Sequence, residues 1–208
     1  MDGVLIDSEA AIRRAWIDAA ATTGGELSPD DYLSIIGLTL SDAHSRLASL
    51  LGAERFAAAR QLVLAEVGPE SGFVFPAKPG AMEALATLAG LGVRCAVASS
   101  TAAPEVRRRL GAVDLLRYFE VVVGGDEVAR GKPDPALFLL AARRLGAEPS
   151  ACVVFEDSTH GLSAARAAGI TAVAVPDLKE PDPALSDRRL DSLQELVPLA
   201  ASWFAAGR

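Results

Sequence analysis

Four stretches of this chain carry the small hydroxyls, the lysine and the carboxylates that phosphoryl chemistry needs. Ser99, Ser100 and Thr101 follow the apolar run "CAVA". Lys132 follows "EVVVGGDEVARG" and precedes "PDP". Glu156, Asp157 and Ser158 follow "CVVF". Asp2 stands at the front, in "MDGVLIDSE". Hydroxyls and open backbone N–H groups hold phosphate oxygens, and a lysine offsets phosphate charge as a point cation. Adjacent carboxylates in a loop bind Mg²⁺ through oxygen. The ion then lets a carboxylate approach a dianion that would otherwise repel it.

Such groups converge only if a scaffold brings the loop tips together. From residue 76 onward, short apolar runs alternate with helical patterns. "VRCAVAS", "EVVVGG", "ACVVF" and "TAVAV" read as strands. "GAMEALATLAGLG", "APEVRRRLGAVDLLRYF", "DPALFLLAARRLG" and "THGLSAARAAG" read as helices. A break is expected near Gly111. Asp134 caps the third of these helices, Pro135 fits its first turn and Gly146 stops it. The last helix, 191–204, is expected to break at Pro198. The alternation predicts an α/β fold with a doubly wound, Rossmann-like parallel sheet. Continuous apolar strands predict that both of its faces are covered. In such a sheet, reactive groups gather at the C-terminal strand ends, where all these loops lie.

Residues 9–68 read as helix throughout. "EAAIRRAWIDAAATTGG" places Ile12, Trp16 and Ala19 on one face and stops at Gly24 and Gly25. "SPDDYLSIIG" starts with Ser28 as N-cap and Pro29 at the first helical position, and is expected to end at Gly37. This block is expected to be an all-α cap over 9–75, inserted into a core of 1–8 and 76–208. Its hinges lie near 8–11 and 69–79.

The 208 residues can bury a real core. A net charge of −7 and a pI near 4.9 argue against nucleic acid or an anionic membrane as partner. A small anionic substrate needs only a local positive site. Cys95 and Cys152 sit in apolar strand runs and read as buried, reduced thiols. No signal peptide or spanning apolar run is seen, so a cytoplasmic protein is expected, as monomer or small homo-oligomer.

The motifs "DGVLIDSE", "VASS", "GKPDP" and "VVFEDSTHGLSAARAAG" occur in the order found in the haloacid dehalogenase superfamily. The chain resembles its branch of helical-cap phosphatases and β-phosphoglucomutase-like enzymes over essentially its whole length. The resemblance implies a Mg²⁺-dependent phosphatase of a small phosphorylated metabolite, a sugar phosphate being one candidate, working through an aspartyl-phosphate. It implies that Ser99 and the Ser100 N–H bind phosphate, and that Lys132 balances its charge. Glu156 and Asp157 would bind the metal, Asp157 directly, and the backbone carbonyl of Asp2 would meet it too. The Asp2 side chain would be the general acid and base. Dehalogenase members lack that second aspartate, so its presence favours phosphoryl chemistry.

The family's nucleophilic aspartate falls two residues before Asp2, ahead of Met1, and the strand leading to it is absent as well. The sequence is therefore expected to start late, with about ten further residues upstream. The alternatives are a sugar phosphomutase and an inactive phosphate- and Mg²⁺-binding protein. Residues 37–40 correspond to a substrate-facing cap segment that would close over the site. They carry no Arg or Lys for a second phosphate, which disfavours the mutase. Asp7 reads as a capping or hinge residue, His160 as a solvated first-turn residue, His44 as surface or packing, and Arg107, Arg108 and Arg109 as a solvated helix face.

Overall fold

A computed structural model describes residues 1–36, 38 and 40–204. Gly37, the expected end of the second helix, and Thr39 of the substrate-facing segment lie outside them. The chain divides into two compact units, Ser8–Phe75 and Met1–Asp7 with Pro76–Arg208.

The first unit is helical: α1 (Glu9–Thr22), α2 (Pro29–Leu33), α3 (Leu40–Leu51) and α4 (Ala53–Val67). α1 buries Ala15, Trp16, Ala19 and Ala20, and Trp16 stacks on Phe56 of α4 at 5.8 Å. His44 packs on the same ring at 5.5 Å. α2 has only five residues, so its start needs help. Ser28 and Asp31 supply it as a capping box. The helix ends before Gly37 is reached. The Ser34 hydroxyl donates to the Asp31 carbonyl at 2.6 Å, a local bond that competes with continued helix.

The second unit follows with α5 (Ala81–Gly90), β1 (Ala96–Ala98), α6 (Ala103–Ala112), β2 (Val121–Val123) and α7 (Ala136–Leu145). Then come β3 (Val153–Glu156), α8 (Thr159–Ala167), β4 (Thr171–Ala174), β5 (Arg188–Arg189) and α9 (Leu196–Phe204). At α7, Asp134 accepts from the Ala136 N–H at 3.0 Å and Gly146 closes the helix at φ +64°. α6 ends at Ala112, so the break expected near Gly111 falls one residue beyond it. α9 does not break at Pro198. That proline is its third residue, where the missing N–H would have had no intrahelical acceptor.

Every strand pair is parallel, as the crossover pattern requires. The strands form two parallel sheets, β1-β2 and β3-β4-β5. β5 escaped the sequence reading because it consists of two exposed arginines, with no apolar run to mark it. It is held by its neighbours: Leu190 donates to the Ala174 carbonyl at 2.9 Å, and the Asp187 carboxylate accepts from Ala172 at 2.8 Å.

Between the two sheets lies a cavity of ≈ 390 Å³. Protein interiors rarely hold a void larger than a water molecule. The cavity explains why Ala96, Ala98 and the first three residues of β3 are only half-buried, against the expectation of strands covered throughout. It also explains Cys95 and Cys152, which are free thiols as expected but half-buried, on the cavity wall. Burial, followed by the charge of Glu120, still pushes the Cys95 thiol up to about 11. No described helix is long and apolar enough to cross a membrane.

Candidate active site

The opening loop folds back on itself. Leu5 donates to the Met1 carbonyl at 2.8 Å and Gly3 to the Ile6 carbonyl at 3.0 Å. Gly3 sits at φ +73°, and a Cβ there would lie under 3.0 Å from the Asp157 carboxylate. Both facts require glycine. Asp2 thereby projects toward α6 and the loop after β1. Its Oδ1 accepts from Arg109 Nη1 at 2.6 Å and its Oδ2 from the Thr101 hydroxyl at 3.1 Å. Arg109 also donates to Glu105 at 2.7 Å. The three arginines of α6 are thus not a solvated face. Arg107 alone is exposed, Arg108 closes on Glu105, and Arg109 reaches across to Asp2.

At the tip of β1, Ser99 is buried. Its N–H donates to the Val123 carbonyl at 3.1 Å, and its hydroxyl oxygen accepts from the Thr101 N–H at 3.2 Å. Ser100 is exposed at the loop apex. Thr101 was seen among the hydroxyls in the sequence but given no role. It joins the Ser99 loop to Asp2.

Lys132 pairs with Glu156 Oε1, and both side chains are almost fully buried. Glu156 Oε2 accepts from the Ser158 N–H at 3.1 Å and its hydroxyl at 2.9 Å. The Ser158 oxygen in turn caps α8 by accepting from Gly161 N–H at 3.0 Å. Gly161 is required because a Cβ there would press into the Glu156 carboxyl. Burial by itself would raise Glu156. The charges of Lys132 and of the Met1 α-amino group, and hydrogen bonds from Lys132 and Ser158, outweigh it, so Glu156 is lowered and stays ionised. Asp157 goes the other way. Burial, then the neighbouring Glu156 charge, push it up to about 8.

A further pair was missed in the sequence. Lys78 bonds Asp177 Oδ1, while Asp177 Oδ2 is buried with no hydrogen-bond partner. A Cβ built on Gly3 would lie 3.3 Å from that oxygen, so it faces the same spot as Asp157. The available signal was position, since Asp177 lies just beyond the end of β4, where reactive groups gather. Lys78 lies 99 positions away and no local pattern links the two.

Asp2, the Ser99 loop, Lys132, Glu156 and Asp157 therefore meet at one end of the two sheets. His160 is half-buried in the first turn of α8. Among the described residues, no three His, Cys, Asp or Glu side chains stand close enough to enclose a metal ion by themselves. Mg²⁺ does not need such a cage, because it keeps several waters and takes one or two carboxylates plus substrate phosphate. A carboxyl whose charge is disfavoured by burial and a buried orphan oxygen, both facing Gly3, suit a small divalent cation held through oxygen.

Residues 1–175 match the family described as haloacid dehalogenase-like hydrolases. The phosphorylated carbohydrates phosphatase of Thermotoga maritima is 36% identical over 174 residues, covering 82% of this chain and 79% of that protein. Hexitol phosphatase A of Escherichia coli is 34% identical over 177 residues, covering 84% and 80%. The solved structure of a HAD family hydrolase from Deinococcus radiodurans, with bound phosphate and sodium, superposes with a TM-score of 0.77 at 30% identity, over 97% of this chain and 93% of that one. Parallel strands, a helical unit entered through the opening loop and four motif loops at one sheet end agree with these likenesses, and the chain belongs to the haloacid dehalogenase-like hydrolases.

Proposed function

We propose that this protein is a Mg²⁺-dependent phosphomonoester hydrolase whose substrates are small phosphorylated metabolites of the sugar phosphate type. One observation carries the reading: an ionised Glu156 holding Lys132, a charge-disfavoured Asp157, and Asp2 held by Arg109 and Thr101 all lie at the same loop cluster. The phosphatase relatives support the reaction class, and the Thermotoga and Escherichia proteins support the substrate class.

Ser99 and the Ser100 N–H bind phosphate oxygens, and Lys132 balances their charge. Asp157 and the Asp2 carbonyl would hold the metal, and Asp177, whose Oδ2 is buried without a hydrogen-bond partner, would be a further oxygen donor. Glu156, expected from the sequence as a second ligand, has both oxygens engaged by Lys132 and Ser158. In this reading it orients Lys132 more than it binds metal. Bound Mg²⁺ would lower the charge barrier between carboxylate and phosphate dianion.

The attacking carboxylate belongs two residues ahead of Asp2, a position that precedes Met1. Its oxygen attacks phosphorus, the ester P–O bond breaks, and Asp2 gives its proton to the leaving alkoxide. Asp2 then takes a proton from water as the water oxygen attacks phosphorus, which releases inorganic phosphate and restores the carboxylate. In the structure Arg109 and Thr101 hold Asp2 as the carboxylate, so to act as the acid it first gives up the Arg109 bond and takes a proton from solvent, and the water step returns that proton to it.

The test is phosphate release over a panel of sugar phosphates and other small esters. It compares the chain as given with a form extended to supply the upstream aspartate, each with Mg²⁺ and with EDTA. Mg²⁺-dependent release is expected from the extended form, falling on the order of a hundredfold or more in Asp2→Asn. Equal release from both forms would move the nucleophile into the present chain. Interconversion of a hexose 1-phosphate and 6-phosphate without release would make it a mutase. Phosphate binding without turnover in either form would make it a binding protein.

A further inference from the structure

Residues 99–103, between β1 and α6, lie backbone to backbone against residues 123–126, at the end of β2. Three bonds join them. Ser99 N–H donates to the Val123 carbonyl at 3.1 Å, Gly125 N–H to the Thr101 carbonyl at 3.1 Å, and Ala103 N–H to Asp126 Oδ1 at 2.8 Å. The first two are main-chain bonds, which carry the β1-β2 ladder past its last paired residues, Ala98 and Val123. The third depends on a single side chain. Side chains at Gly124 and Gly125 would keep the two loops apart. A Cβ on Gly124 would lie under 3.0 Å from Ala103 N, and one on Gly125 under 3.0 Å from the Ser100 carbonyl oxygen.

α6 does not cap itself. Its N-cap is Ala102, which offers no side-chain acceptor, and Pro104 in its first turn has no N–H. Ala103 therefore carries the first N–H of the helix, and Asp126, 23 positions away, caps it. A carboxylate there also suits the positive end of the helix dipole. The turn that presents Asp126 is anchored from its other side. Glu127 accepts from Gly124 N–H at 3.0 Å and pairs with Arg144 of α7 at 2.6 Å. The loop between β1 and α6 is thus fixed at its entry by the Ser99–Val123 bond and at its exit by Asp126. Inside it, Ser99 Oγ accepts from Thr101 N–H, which leaves the Ser99 proton for a ligand. The Thr101 hydroxyl reaches Asp2.

We propose that Asp126 is a positioning residue for phosphate binding: by capping α6 through the Ala103 N–H, it holds residues 99–103 in the shape that turns the Ser99 hydroxyl and the Ser100 N–H toward one phosphate. The proposal rests on the phosphatase reading, in which those two groups hold phosphate oxygens. Asp126 is exposed and touches no substrate. It acts through the start of α6, so its loss leaves the phosphate-binding groups in the chain but lets the loop that carries them relax.

The test measures binding of inorganic phosphate to the full chain by calorimetry, with Mg²⁺ present, and amide exchange at Ser100 with and without phosphate. The parent, Asp126→Ala, Asp126→Asn and Ser99→Ala are compared at a temperature where all four are folded, and their melting temperatures are recorded. Asp126→Ala is expected to weaken phosphate binding about fivefold and to remove the slowing of exchange that phosphate causes at Ser100. Asp126→Asn keeps an acceptor oxygen and is expected to bind phosphate as the parent does. Parent-like binding by Asp126→Ala, with only its melting temperature lowered, would make Asp126 a helix cap and nothing more, and overturns the proposal. Equal weakening in Asp126→Ala and Asp126→Asn would assign the effect to charge, and also overturns it. In both cases weakened binding in Ser99→Ala keeps the phosphatase reading. No binding in the parent, or binding that Ser99→Ala leaves unchanged, overturns that reading of the loop and the role of Asp126 with it.

Discussion

The two sheets are tied together at their C-terminal tips and not along their lengths. At the tips, Lys132 from the loop after β2 pairs with Glu156 at the end of β3. Thr101 from the loop after β1 bonds Asp2, and the next residue, Gly3, lies against Asp157. A few residues below, the same strands face an apolar cavity. The tips show how buried charge can organise a site where main-chain pairing does not reach. The middles show what that organisation lacks, which is a continuous backbone ladder. Tip bonds hold loops in position, and apolar burial would have to supply most of the stability.

Breaking the buried tip pair is expected to have the largest effect. Lys132→Met leaves Glu156 charged and uncompensated, and should cost on the order of 3–5 kcal/mol in urea unfolding while removing activity. If it unfolds no earlier than the parent, the tips do not hold the sheets. Gly3→Ala should come next, at about 2–4 kcal/mol, since it combines a left-handed backbone position with a collision at Asp157. Asp157→Ala in the same chain should recover part of that loss, and an absence of recovery would locate the strain in the backbone alone.

A third prediction concerns pH. Asp157 is raised to about 8 by burial and by Glu156, against an ordinary value of 3.8. Between those values the folded chain keeps a proton that the unfolded chain has released, so stability falls as pH rises through the window. Glu156 has the opposite sign, and its contribution is lost only when pH falls well below the ordinary carboxylate value. In EDTA the melting temperature should drop between roughly pH 5 and 8. Asp157→Asn or added Mg²⁺ should flatten that slope, and a slope unchanged by either would assign it to another group. The smallest effect should come from the other end of the same strands. Arg94 and Glu120 are about half exposed, so Arg94→Gln should leave the urea midpoint essentially where it is in the parent. A larger loss would erase the contrast between the two ends.

Much of this was legible in the sequence, and for local reasons. Ser28, Asp134 and Gly146 act within a turn of where they stand, so helix starts and stops could be read directly. The four motif loops could be placed because each follows an apolar run. Arg109 was misread because its partner is 107 positions away, and a run of three arginines looks the same whether or not one of them crosses the core. The Lys78–Asp177 pair was missed for the same reason. Gly3 and Gly161 carried a cue that went unused: each follows a motif acid closely, and each lacks a side chain because a carboxylate occupies that space.

The chain leaves the α/β unit after Asp7 and returns at Pro76. The Asp7 N–H donates to the Pro76 carbonyl at 2.9 Å, Ile6 and Ala77 form an antiparallel bridge, and Lys78 donates to the Leu5 carbonyl at 2.9 Å. Departure and return are thus clasped by three adjoining residues on each side. Everything between them can be treated as a cartridge. Helical inserts of other lengths could be spliced at this clasp, or a short linker could replace them, with the α/β unit's own bonding left as it is.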